Sequence, residues 1–185
     1  MDEYKVHNYT GRLIDPFKMK AADIEIYPIA RTLSRICRFR GQTIKFYSVA
    51  QHCVAMSTLF KDDDLVKWAL VHEFFEGVTG MDVPWPLKQR SNFSSYNKAE
   101  ERLLKVVAKK YKLPWPIPEE IHEADKRLCA TEANILLPDL EIDCDSDVEL
   151  YKPDIVLNVL NADIQAVEFA YVDLLFKKLY SDGKT

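Results

Sequence analysis

The run Asp62-Asp63-Asp64-Leu65-Val66-Lys67-Trp68-Ala69-Leu70-Val71-His72-Glu73-Phe74-Phe75-Glu76-Gly77 decides how this 185-residue chain is read. Its three aspartates offer an N-cap and first-turn acids, where free N–H groups and the helix dipole favour negative charge. The apolar residues that follow recur at helical spacing, so one helix is predicted through Gly77. Leu70, Val71, Phe74 and Phe75 flank His72, Glu73 and Glu76, which places polar groups on a helix that belongs in the core. His72 and Glu76 are one turn apart and share a face, while Glu73 is rotated by about a third of a turn from His72. Burying two carboxylates and an imidazole without compensation costs several kcal/mol or forces protonation. A divalent cation removes that cost by making them ligands. A lone buried His–Glu pair, however, is equally a satisfied hydrogen-bonded pair of the core, and the stretch by itself leaves both readings open.

The same reading extends outward in both directions. Residues 4–17 alternate weakly around Thr10-Gly11, which predicts a short hairpin or extended arm. From Ala21 the texture is helical, with Ile29, Leu33 and Ile36 in register and Gly41 as a stop. Ser48 caps a segment reaching about Phe60, with Val49, Cys53 and Met56 on one face. Pro84 and Pro86 interrupt the stretch from Asp82 to Lys88. Helical periodicity resumes over 94–112 (Ala99, Leu103, Val106, Val107), and again from Pro118 to about Leu137. An acidic loop, Asp139 to Asp147, precedes a long apolar helix over roughly Pro153 to Tyr180. The sum is an all-α helical bundle of five to seven helices, read as a single domain over residues 1–185, because no repeat or linker divides the chain.

Bulk properties exclude several classes. Lys and Arg number 25 against 29 Asp and Glu, a net charge of −4, so there is no bulk case for binding a nucleic-acid polymer. An anionic ligand must be held by a few placed cations or a metal. Cys37, Cys53, Cys129 and Cys144 show no C-x-x-C spacing and read as free thiols. No uncharged run of about 18 apolar residues and no leader-like segment is present, so no membrane span is expected and the compartment is read as cytoplasmic.

Two further residues can join the His72 stretch. His52 ends Tyr47-Ser48-Val49-Ala50-Gln51-His52 among apolar neighbours, and Asp125 lies in His122-Glu123-Ala124-Asp125 on a later helix. Alone, each has a plain alternative: a structural core histidine and a surface salt bridge. Their order, His…His-acid…Asp, resembles the HD-domain phosphohydrolase superfamily. Arg38-Phe39-x-Gly41, Phe46-Tyr47-Ser48-Val49-Ala50-Gln51-His52, His72-x-x-x-Glu76, Asp82-x-Pro84-x-Pro86-Leu87-Lys88 and Asp125-x-x-x-x-Ala130-Thr131-Glu132 resemble a small bacterial and phage subfamily. It is similar to the HD 5′-deoxynucleotidases and the phage dATP triphosphohydrolases. The similarity runs over about residues 8–135, and the C-terminal third matches only as generic helix.

The resemblance implies an HD-type helical bundle and an enzyme. It implies metal ligation by His52, His72, Glu73 and Asp125, with Glu73 standing where the family has aspartate. It implies proton handling by Glu76, phosphate contacts by Arg38 and Lys88, and a sugar-side acid at Asp82. Asp82 falls one residue further from His72 than in the relatives, and Gln42 stands where many have histidine. Trp85 either stacks on a base or packs as a loop tryptophan. Two imidazoles with two carboxylates suit Mn, Co, Zn or Fe better than Mg or Ca. The implied reaction is triphosphate release from a dATP-like dNTP by a homo-oligomer. The alternatives are orthophosphate release from a dNMP, and a nucleotide-binding regulatory protein whose catalysis Glu73 has weakened.

Overall fold

The computed structural model describes residues 5–138 and 148–180. They form an all-α bundle with one small antiparallel hairpin, β1 (Val6–His7) and β2 (Leu13–Ile14), in which Val6 pairs with Ile14. The hairpin predicted at Thr10-Gly11 is present. Asn8 Oδ1 accepts from the Thr10 and Arg12 amides, and Gly11 turns the chain at φ 81°. The helices are α1 (Ile26–Leu33), α2 (Val49–Ser57), α3 (Asp63–Val71), α4 (Phe74–Thr79), the single turn α5 (Trp85–Lys88), α6 (Ser94–Tyr111), α7 (Glu119–Leu136), α8 (Asp154–Leu160) and α9 (Ile164–Tyr180).

Local chemistry explains most of the boundaries. Ser48 and Gln51 form a reciprocal capping box at α2, Ser48 Oγ accepting from the Gln51 amide while Gln51 Oε1 accepts from the Ser48 amide. Asp62 Oδ1 accepts from the Asp64 and Leu65 amides at the start of α3. Two expected helices are each broken. The helix predicted through Gly77 stops at His72, turns at Glu73, and restarts as α4. The long C-terminal helix bends by 116° between α8 and α9, where Asp163 Oδ1 caps the amides of Gln165 and Ala166. The acidic stretch at Asp139 to Asp147, and Cys144 within it, lie outside the described residues. Cys37, Cys53 and Cys129 are free, as expected. No single described helix is long and apolar enough to cross a membrane.

The core is built on α2, α3, α4 and α9, with Trp68, Phe74, Phe75, Met56, Leu70 and Tyr171 fully buried. Val167 and Leu175 on α9 close it, while Phe169 and Phe176 face outward. Arg31 on α1 and Arg35 just past its end hold the buried Glu168 of α9. Lys110 Nζ donates to the carbonyls of Ala21 and Ile24 and so ties α6 to the segment before α1.

Helices α1 and α4 approach closely at Gly77. A Cβ built there would lie 2.6 Å from Ile29 Cγ2, 2.9 Å from Leu33 Cγ and 3.2 Å from the Ile29 carbonyl oxygen. Ile29 and Leu33 are themselves buried and have no room to withdraw. A Gly77→Ala substitution is therefore expected to destabilise the fold by about 1–3 kcal/mol despite the higher helix propensity of alanine. Thermal unfolding reads this as a lower midpoint, and an unchanged or raised midpoint would show that α1 can shift away.

Candidate metal centre

The break between α3 and α4 lets two adjacent side chains face one point. His72 closes α3 in helical conformation, and Glu73 (φ −95°, ψ 14°) turns the chain before α4. His52 comes from the middle of α2, and Asp125 from the first half of α7. One ligand atom from each of His52, His72, Glu73 and Asp125 lies within 4.8 Å of the others, so this cluster could hold a metal ion. The two imidazole rings stand 5.4 Å apart. The extra methylene of Glu73 does not keep its carboxylate from the cluster.

The donor set fits a cation by its hydrogen-bonding state. His72 Nδ1 lies 2.9 Å from the Ala69 carbonyl oxygen. A carbonyl only accepts, so Nδ1 carries the proton and Nε2 presents its lone pair. Nε2 is buried and unpartnered, 3.6 Å from Glu73 Oε1. On the other ring, His52 Nδ1 donates to Glu132 Oε1 at 2.8 Å, while the buried Nε2 faces Asp125 Oδ1 at 3.1 Å without a hydrogen bond in line. Each histidine thus has its outer nitrogen fixed and its inner nitrogen aimed at the cluster, as metal-ligating histidines are held.

The charges around these rings are strongly perturbed. Burial and Arg38 oppose a charge on His52, but Glu132 and Asp125 outweigh them and raise its pKa to about 9. A cation at Nε2 would displace that proton. Burial lowers His72 and keeps it neutral. Burial works against ionised Asp125 and Glu132, yet His52 and Arg38 hold both below the usual carboxylate range. Asp125, read alone as a surface salt-bridge residue, is 40% exposed at its side chain and directed at His52.

The remaining predicted residues surround the cluster unequally. Glu76, on α4, is buried, with Oε1 3.5 Å from Lys88 Nζ and Oε2 unpartnered. Burial, reinforced by Glu73 and Asp82, lifts its pKa well above normal, which suits a group that takes or gives a proton near neutrality. Burial and Glu73 also raise Asp82, against Arg38 and Lys88. Lys88 is clamped between Glu76 and Glu100, 2.8 Å from Glu100 Oε1. Arg38 is 7% exposed, with Nε 3.0 Å from Glu132 Oε2 and Nη1 3.7 Å from Glu73 Oε1. Trp85 opens α5 and is 72% exposed, which removes the packed-loop reading. His7 and His122 are exposed.

Two acids without an assigned role prove central to the surroundings. Glu132 is fully buried on α7, two turns beyond Asp125, and serves His52, Arg38 and the Tyr47 hydroxyl (3.0 Å) together. The spacing of seven from Asp125 was the available signal, since it sets both acids on one helix face. Glu100 on α6 had no such signal, because only the tertiary fold brings it to Lys88. Arg38 is aimed by its loop. Phe39, Arg40 and Gly41 all take left-handed backbone (φ 52°, 56° and 73°), and the Arg38 amide donates to the Tyr47 carbonyl at 2.8 Å. For Phe39 and Arg40 that conformation costs on the order of 1–3 kcal/mol each, the kind of strain that gathers at functional sites.

No protein-family model matches the chain. It is 36% identical over 127 residues to the uncharacterized protein YfdR of Escherichia coli, covering 69% of each chain. It is also 30% identical over 158 residues to an uncharacterized protein of Rhodobacter capsulatus, covering 80% of each.

Proposed function

Since the chain belongs to the family of these two bacterial proteins, whose descriptions name no activity, we propose, from the site together with the resemblance of its motifs to the HD-domain phosphohydrolases, that it is an HD-type, metal-dependent nucleotide phosphohydrolase. The observation that carries the reading is a pair of buried imidazole nitrogens, His72 Nε2 without a hydrogen-bond partner and His52 Nε2 beside Asp125, facing the same point as the Glu73 and Asp125 carboxylates. Nitrogen and oxygen donors in this mixture favour Mn, Co, Zn or Fe. When bound, such an ion would supply Lewis-acid polarisation of a phosphoryl oxygen and acidify the attacking water.

The chain's own residues supply the rest. Glu76, with one free carboxylate oxygen and a raised pKa, accepts the proton of the attacking water or returns one to the leaving group. Lys88 holds the other Glu76 oxygen and so keeps that carboxyl aimed. The Arg38 guanidinium sits beside Glu73, where its planar donors can grip phosphate oxygens as charge builds up. Asp82 lies in the same electrostatic field and is the acid assigned to the deoxyribose side. The reaction assigned is release of triphosphate from a dATP-like deoxynucleoside triphosphate.

One assay tests this. Purified protein with Mn²⁺ or Co²⁺ is incubated with a panel of dNTPs, NTPs and dNMPs, and orthophosphate, pyrophosphate and triphosphate are separated. Triphosphate from a dNTP is expected. Orthophosphate from monophosphates alone would replace the assigned reaction with a 5′-nucleotidase. Stoichiometric metal and nucleotide binding without turnover would leave a regulatory binding protein.

A further inference from the structure

We infer that Tyr171, on the distant C-terminal helix α9, is a positioning residue for the metal centre: its hydroxyl pins the helix break that lets His72 and Glu73 face one point. In a continuous α-helix, neighbouring side chains diverge by about 100°, so adjacent residues meet at one centre only by leaning toward each other. The break between α3 and α4 solves that problem but interrupts the hydrogen-bond ladder, and buried carbonyls at such an interruption need other donors. Two carbonyls are served by side chains here. That of Ala69 accepts from His72 Nδ1, and that of Leu70 accepts from the Tyr171 hydroxyl.

Tyr171 is fully buried, and its place between helices is specific. Besides the Leu70 carbonyl on α3, its hydroxyl meets the thiol of Cys53 on α2. One phenol therefore touches the residue after His52 and the carbonyl two residues before His72. Burial pushes the phenol pKa well up, so the group stays a donor. If the ring served only to fill the core, phenylalanine would do as well. The hydroxyl is the part that acts on the break.

The inference rests on the metal reading above, and the test separates the two. Tyr171→Phe in the full chain is compared with Glu168→Gln, which loosens the Arg31 and Arg35 tie on the same helix. Mn²⁺ affinity is measured by calorimetry, and the ring nitrogens of His72 by ¹⁵N NMR in the metal-free protein. Tyr171→Phe is expected to keep its helical circular dichroism, to lose the sharp Nδ1–H tautomer signature of His72, and to bind Mn²⁺ about tenfold or more weakly, the range for loss of an outer-shell partner. Glu168→Gln is expected to lower thermal stability and leave Mn²⁺ affinity unchanged. Incorporating 4-aminophenylalanine at position 171, which restores a donor, should recover most of the affinity. Wild-type affinity together with an unchanged His72 signature in Tyr171→Phe overturns the inference, as does a loss matched by Glu168→Gln. If wild-type protein binds no Mn²⁺ yet the His72 signature still changes in Tyr171→Phe, the metal reading falls and the pinning role stands.

Discussion

In a His72→Ala variant, bound metal is expected to fall to background and nucleotide hydrolysis to drop by roughly 10³-fold or more. The size follows from what the ion contributes. Several kcal/mol of transition-state charge stabilisation come from the metal, and each 1.36 kcal/mol is tenfold in rate. His72 is the ligand whose loss is hardest to replace. Its Nε2 already has a free lone pair, because Nδ1–H is committed to the Ala69 carbonyl, so it binds without giving up a proton. Water filling the cavity would leave His52, Glu73 and Asp125 to hold the ion, with His52 still held as a cation by Glu132 and Asp125. His122→Ala is the matched control, since His122 is exposed on α7. Metal analysis after gel filtration and a steady-state assay read both variants. Stoichiometric metal in His72→Ala would remove His72 from the ligand set, whatever happened to activity.

The fold was legible where local chemistry acts alone. The Ser48–Gln51 box, the Asp62 cap and the prolines around α5 and α7 each signal a boundary within a few residues of itself. The break at Glu73 was not, because Asp63 to Gly77 runs without proline or glycine inside an unbroken apolar period. What holds the helix open joins a local contact, the His72 ring turned back on Ala69, to a tertiary one, a tyrosine about a hundred residues later in the chain, in the part that sequence resemblance left as generic helix. The bend before α9 carried a local signal in Asp163, a helix-capping residue after Asn161-Ala162, which the apolar run on either side outweighed. For the site, it was the resemblance carried by the motifs, not spacing, that grouped His52, His72, Glu73 and Asp125, whose ligand atoms the fold brings within 4.8 Å of one another. The acids behind the site, Glu132 against His52 and Arg38 and Glu100 against Lys88, look in sequence like their exposed neighbours Glu123 and Glu101, and only packing separates them.

Glu132→Ala is expected to cost more stability than any other single change at the site. The carboxylate is fully buried and answers three groups: the His52 ring, the Arg38 guanidinium and the Tyr47 hydroxyl. Removing one partner of a buried ion pair costs about 3–5 kcal/mol, because the remaining charge is left unpaired in a low-dielectric interior. Here Arg38 cannot lose its proton, and its left-handed loop leaves it little freedom to turn to solvent. For a chain of this size, roughly 2–4 °C per kcal/mol puts the fall in unfolding midpoint at about 10 °C. Glu132→Gln separates charge from shape. Its amide oxygen can still accept from His52 Nδ1–H, so the ring stays aimed, while its amino group meets Arg38 unfavourably. That variant should fall between wild type and Glu132→Ala in stability, with Mn²⁺ affinity reduced less than in Glu132→Ala. An unfolding midpoint within 2 °C of wild type for Glu132→Ala would mean that His52 and Arg38 find other partners. The acids nearest them, Asp125 and Glu73, are the two that the metal reading requires as ligands. Stability regained in that way would therefore be regained at the expense of metal binding, and the two measurements on one variant bear on each other directly.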